Sequence, residues 1–176
     1  HHFLVASPWL ADPNFHGGVI YLCEHSSEGA LGLMINQPLG IHLGEILEQL
    51  DMHGGLMDLP VFTGGPVQPE RGFVLHSPGQ HWQNTATVTD DVLLTTSRDI
   101  LEGIGRNEGP EEFLVALGYS GWGEGQLEEE LGSNAWLTCP ASTDILFRTP
   151  VEKRYEAVLK LIGIDLNQLS DSVGHA

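Results

Sequence analysis

Residues 114–139 read LVALGYSGWGEGQLEEELGSNAWLTC, and this stretch constrains the fold more than any other. Leu114, Val115, Ala116 and Leu117 form an apolar run of the length of a buried strand. Gly118, Gly121, Gly123 and Gly125 follow, residues that let a backbone turn where a side chain would clash. Residues 126–131 then read as a short helix, with Leu127 and Leu131 four apart on one face. Its acids Glu128, Glu129 and Glu130 stand near its start, where the helix dipole favours negative charge, and Gly132 is a natural stop. A strand over residues 135–139 resumes and Pro140 closes it. Strand, glycine corner, helix and strand in one piece, bracketed by Trp122 and Trp136, require a sheet with a helix laid against it.

The flanking segments extend that sheet. Residues 3–6 read as a strand broken at Ser7-Pro8, and Asp12-Pro13-Asn14 is turn chemistry. Residues 19–24 (VIYLCE) and 30–36 (ALGLMIN) predict a hairpin with a loop over residues 25–29, and Pro38 ends its second strand. Leu43, Ile46, Leu47 and Leu50 recur at helical spacing, with His53-Gly54-Gly55 marking the end of that helix. Short strands are predicted at residues 61–63 and 72–76, with a tight, exposed Gly64-Gly65-Pro66-Val67 loop between them. A hairpin over residues 85–89 and 92–96 turns at Asp90-Asp91. Ser97 is placed to cap a helix carrying Ile100, Leu101 and Ile104. Beyond Pro140, residues 145–147 read as a strand. Thr149-Pro150-Val151-Glu152 then matches a capping box ahead of an apolar face of Val151, Tyr155, Val158, Leu159 and Ile162, closed by Gly163. Residues 165–176 form a tail in which Leu166 and Leu169 can dock. Hairpins interrupted by helices predict an α+β fold in one compact domain spanning residues 1–176. Its sheet is mixed or mainly antiparallel, barrel-like, with flanking helices.

The familiar catalytic signatures fail residue by residue. Gly118-Tyr119-Ser120-Gly121-Trp122 carries the serine of a nucleophile elbow, but Trp122 stands where the last glycine belongs. Gln126 occupies the third glycine of a dinucleotide fingerprint, and no glycine run is followed by a Walker lysine. Cys23, Glu24 and His25 form a candidate redox or thiol site. On a regular strand Cys23 and His25 share a face, although a buried cysteine beside a strand-end histidine accounts for the same pattern. Two soft ligands do not make a zinc site, and three consecutive glutamates diverge by about 100° each on a helix, so neither a metal nor a cofactor is expected. The best ligand candidate is the Gly64-Gly65-Pro66 loop with Arg71, because bare backbone N–H groups and a guanidinium suit an anion. Asn36 can lie near it, and Tyr119, Trp122 and Gln126 from the glycine corner complete the candidate pocket. The competing account is a turn that needs its glycines, with Arg71 in a surface ion pair.

Charge narrows the partners. Seven Lys and Arg face 24 Asp and Glu, a net charge of −17. Nucleic-acid binders carry the opposite balance, since phosphate neutralisation drives their affinity, so direct contact with nucleic acid is not expected. Arg148, Lys153, Arg154 and Lys160 cluster in one segment, read as a solvated helix surface. No apolar run approaches the ~20 residues of a membrane helix, and two distant cysteines, Cys23 and Cys139, suit a reducing cytoplasm.

Six segments of the chain together resemble the YqgE/AlgH family of bacterial proteins. They are HHFLVASPWLADPNF, VIYLCEHSSEGALGLMINQPL, TGGPVQPERGFVLH, LTTSRDIL, LVALGYSGWGEGQLEEELGSNAWL and LSDSVGHA. The similarity spans nearly the whole chain and makes His1-His2 look native. Gln37 departs from the arginine that the family more often places before the proline, which weakens any ligand site that uses it. The resemblance implies a compact α+β domain with a barrel-like mixed sheet. It also implies a regulator label, from alginate synthesis in some members, and supplies no catalytic residues. Genes of the family often lie near glutathione synthesis and a resolvase-like gene. The expectation is a cytoplasmic, non-enzymatic transcriptional regulator acting through a protein partner or a small ligand. A Cys23/His25 redox protein or enzyme and a direct DNA-binding regulator are the alternatives.

Overall fold

A computed structural model describes residues 2–7, 15–52 and 58–164 of the chain. The turn at residues 12–14, the helix end at residues 53–55 and the tail over residues 165–176 lie outside the described residues. The strands run β1 (His2–Ala6), β2 (Val19–Ser26), β3 (Gly29–Met34), β4 (Pro38–His42), β5 (Pro60–Thr63), β6 (Val67–His76), β7 (Thr85–Thr87), β8 (Leu93–Thr95), β9 (Phe113–Trp122) and β10 (Trp136–Pro140). The helices are α1 (Leu43–Gln49), α2 (Asp99–Gly105), α3 (Gln126–Gly132), α4 (Thr143–Phe147) and α5 (Val151–Ile162).

β9 is the spine. Residues 113–119 pair antiparallel with β6, from Phe113 opposite His76 to Tyr119 opposite Val67, with a break in register between Val67 and Gly72. Its other edge is shared: β5 runs parallel along residues 115–117, and β3 antiparallel along residues 120–122. From that spine the sheet extends as β10-β1-β2-β3-β9-β6-β8-β7 and curls into a half-barrel. This is the α+β architecture, with a mostly antiparallel sheet and flanking helices, that the segment pattern predicts.

The glycine corner is not where the strand ends. β9 runs on through Gly118 and Gly121 to Trp122, and the turn lies at residues 123–125. Gly118 sits at φ +77°, a conformation that L side chains rarely adopt. It also shifts the alternation of the strand. Leu114 and Ala116 point into the curl and Val115 away from it; beyond Gly118, Tyr119 faces inward and Trp122 outward.

Three apolar clusters follow from this geometry. Inside the curl, Phe3, Tyr21, Leu33, Phe73 and Leu114 meet Ile145 and Leu146 of α4 and Val158 and Leu159 of α5. Outside one half, Leu4, Ile20, Trp122 and Trp136 receive Leu127 of α3. Outside the other half, Val61, Val74 and Val115 receive Leu43 and Leu47 of α1 and Ile100 and Ile104 of α2. Full burial of one such side chain stabilises by about 1.5–3 kcal/mol.

Several local readings are corrected. Residues 145–147 are helical, not a strand: Ser142 caps α4, its Oγ accepting from the Ile145 N–H at 3.4 Å. The β2–β3 loop is shorter than predicted, since the strands pair out to Ser26 opposite Gly29. The chain does not leave the sheet at Pro38, which opens β4 against β5. Gly64 and Gly65 are buried rather than exposed, while Pro66 and Val67 face solvent. Ser97 does not cap α2; its hydroxyl donates to Asp99 and accepts from the Asn84 N–H. Nor does Thr149 build a capping box, because Pro150 is the N-cap of α5 and the Thr149 hydroxyl donates to the Asp144 carbonyl.

Candidate functional site

The residues singled out in the sequence are spread over the β5–β9 junction, the inner face of the sheet and its outer face beside α3, where Glu24 and Trp122 border one hollow. Gly64 lies where β5 leaves the edge of β9. Its N–H donates to the Leu117 carbonyl, and its carbonyl accepts from the Met34 N–H and the Ser120 hydroxyl. Gly65 presses against the Tyr119 backbone so closely that a Cβ would overlap it. Arg71 is exposed, with its guanidinium 5.1 Å from the centre of the Phe73 ring, and Tyr119 meets the same ring edge-on at 5.8 Å. Asn36 is a structural brace: its side chain accepts from the Val19 N–H and donates to the Gly17 carbonyl. On the outer face, the Trp122 and Trp136 indoles both donate to Glu130, at 3.3 and 2.9 Å, and Gln126 accepts from the Gly123 N–H. These groups mostly bond to backbone or to one another.

Cys23, Glu24 and His25 are split by a β-bulge between Leu22 and Glu24. The extra residue breaks the two-residue alternation. Cys23 packs toward the inner cluster, whereas His25 turns outward and pairs with Glu128 of α3. Burial pushes the Cys23 thiol up to about 12, and its Sγ donates to the Tyr21 carbonyl at 3.6 Å. Glu24 is exposed. Among the described residues no three of His, Cys, Asp and Glu gather as a metal site.

A different place carries the features of a binding site. Between the start of α1, β5, the first residues of β9 and the α4–α5 junction lies a cavity of about 300 Å³. Leu43, Phe62, Phe113, Leu114 and Phe147 form apolar walls, and Arg154 stands among them. Arg154 is only 7% exposed. Its Nε donates to the Thr149 carbonyl at 3.0 Å, its Nη1 donates to the Ile35 carbonyl, and its guanidinium lies 5.3 Å from the centre of the Phe62 ring. No carboxylate among the described residues forms a salt bridge with it, and burial holds the guanidinium below its ordinary value, with Glu152 acting in the opposite direction. Arg148 lines the same cavity but is engaged, both arms of its guanidinium donating to Glu112 at 2.8 Å.

Arg154 is buried and does not share the solvated surface expected for it with Arg148, Lys153 and Lys160. The spacing carried the opposite signal. Arg154 lies three residues after Val151 and four before Val158, within the apolar stripe of its helix. Of the other three cations, Arg148 pairs with Glu112 and Asp144, and Lys160 with Glu156, so the segment forms no continuous basic face. A mainly apolar hollow holding a buried guanidinium that lacks a counter-ion can desolvate the body of a small organic molecule and neutralise one negative charge.

Comparison with known proteins agrees with the fold. The AlgH-like family model, a domain of unknown function, matches residues 3–167. A UPF0301 protein of Hahella chejuensis is 52% identical over 174 residues, covering 99% of this chain and 94% of its own. One of Vibrio parahaemolyticus is 49% identical, covering 99% and 97%. The solution structure of the AlgH protein from Pseudomonas aeruginosa superposes with a TM-score of 0.83 at 48% identity, over 97% of this chain and 92% of that one. A crystal structure of a Corynebacterium diphtheriae protein shares the fold at 16% identity, with a TM-score of 0.72 over 90% and 84% of the two chains. With a family model matched over nearly its whole length and relatives at half identity, this chain belongs to the AlgH-like, UPF0301 family.

Proposed function

We propose that this protein is a non-enzymatic regulator that works by binding a small ligand in the cavity between β5, β9 and the α4–α5 junction. The observation that carries the reading is Arg154, a buried guanidinium without a carboxylate partner among the described residues, in a hollow of small-molecule size lined mainly by apolar side chains. Burying a cation is expensive unless something offsets it. Two backbone carbonyls and one aromatic ring offset part of that cost here, and an anionic ligand would complete it. Direct DNA contact has less support, because three of the four clustered cations are buried or paired with acids.

The test is a metabolite screen read by amide chemical shifts and thermal denaturation of the full chain. At least one compound class is expected to shift the amides of Phe62, Leu114, Val115 and Val151 together and to raise the melting temperature. A screen in which every binder maps elsewhere would overturn the reading. So would steady turnover of a compound that stops when the cavity is filled, since that would make the protein an enzyme.

A further inference from the structure

The chemistry of the ligand can be narrowed further, resting on the reading of the cavity as a ligand site. Two independent features aim positive charge into the hollow. One is Arg154, whose Nε and Nη1 are engaged while its Nη2 has no acceptor among the described residues. The other is the first turn of α5. A helix leaves its first N–H groups without intrahelical partners and carries partial positive charge there. In α5 no side chain caps that end, Pro150 at the N-cap has no N–H, and Thr149, Pro150 and Val151 all border the cavity. The dipole of a helix of 12 residues and a buried guanidinium in its own first turns therefore act on the same space.

The count of charges sets the ligand charge. Arg148 at the rim is neutralised by Glu112, which leaves one uncompensated cation. A phosphate dianion demands several donors to replace its water, and apart from Arg148, already held by Glu112, and Thr149, the other lining side chains are hydrocarbon or aromatic. A single carboxylate is satisfied by one guanidinium edge and one or two backbone N–H groups. The volume, about 300 Å³, sits at the small end of ligand sites and suits a body the size of a short alkyl chain or one aromatic ring. We propose that the cavity takes an apolar monocarboxylate, with its carboxylate on Arg154 and the start of α5 and its hydrocarbon body against Phe62, Phe113 and Leu114.

The experiment is calorimetric titration of the full chain with octanoate, octan-1-ol and inorganic phosphate, with amide shifts to locate binding. Octanoate is expected to bind at least about tenfold tighter than octan-1-ol, the ratio that one charge-assisted contact of ~1.5 kcal/mol supplies. Phosphate is expected neither to saturate nor to displace octanoate. Because Arg154 also ties Ile35 and Thr149 together, Arg154→Ala can fail by unfolding. Val151→Trp, which fills the rim and leaves Arg154 in place, is expected to abolish octanoate binding while the amide spectrum shows the chain still folded, and Arg154→Lys to weaken it by about tenfold. Equal affinity for octanoate and octan-1-ol, displacement by phosphate, or unaltered binding by Val151→Trp would overturn the proposal. If the metabolite screen finds another class in the cavity while octanoate stays silent, the monocarboxylate falls and the ligand site stands. If both leave the cavity silent, both readings fall.

Discussion

Gly65 and Gly118 hold backbone against backbone where β5, β6 and β9 converge. A Cβ on Gly65 would overlap the Tyr119 backbone, and one on Gly118 would meet the Gly65 carbonyl from a φ of +77°. Neither neighbour is the end of a flexible side chain, so relief requires moving the spine of the sheet. Gly65→Ala or Gly118→Ala is expected to destabilise by roughly 3 kcal/mol or more. Gly132→Ala in α3, whose new methyl meets nothing, is expected to be neutral or to stabilise by up to about 1 kcal/mol, and urea midpoints of the three variants check the contrast. His76 offers a second test. It is fully buried, its Nδ1–H donates to the Ser77 carbonyl, and its Nε2 accepts from the Thr95 hydroxyl at 2.7 Å. Burial lowers its pKa from 6.5, partly opposed by the Ser77 carbonyl. The unfolded chain therefore takes up a proton that the fold refuses. Its contribution is intact above pH 6.5 and is lost as pH falls from there toward the folded value. The stability difference between the wild type and His76→Gln is expected to shrink over that range, and a difference independent of pH would rule the titration out. At this scale legibility was uneven. The glycines announced close approach, but nothing local told that Gly65 was covered, because what covers it is Tyr119, 54 positions away in the chain.

At the scale of elements, periodic segments were readable and short ones were not. α1 and α5 carry their apolar faces in the predicted register, and β2, β3 and β9 are apolar runs of strand length. α4 was missed because residues 145–147 are equally apolar as strand or helix, and its helix depends on Ser142, outside the run. The Cys23 bulge was missed because the extra residue is defined by pairing with β3. The candidate cavity was missed for the same reason: its walls come from four distant segments, and only Arg154 on an apolar helix face left a trace in the sequence. Pairing also ranks the elements by stability. β9 is bonded on both edges over residues 115–117, whereas β7 is a three-residue exposed edge strand bonded, among the described residues, only to β8. Amide hydrogen exchange is expected to be slowest at Val115 and Ala116 and faster by orders of magnitude at β7, because edge strands open locally while the spine opens only with the whole fold. Comparable protection at β7 would mean that another segment covers that edge.

At the scale of the whole molecule the net charge dominates. A compact chain with 24 acids and seven basic groups repels itself, and the fold brings those charges closer than the unfolded chain does. The ion pairs that oppose this are few. Arg148–Glu112 is the only bidentate one among the described residues, and Arg98–Glu102 and Lys160–Glu156 are exposed pairs at helical spacing, each worth about 0.5 kcal/mol or less. Salt screens both the repulsion and the pairs, over a length of ~10 Å at 0.1 M. Because repulsive pairs far outnumber attractive ones, added salt is expected to stabilise the fold. Melting temperatures in sodium chloride, potassium chloride and choline chloride at equal ionic strength check this and separate two causes. An equal rise in all three is screening. A rise with sodium or potassium alone would mean a specific cation site among the carboxylates, and a fall in all three would mean that the few ion pairs outweigh the acidic surface.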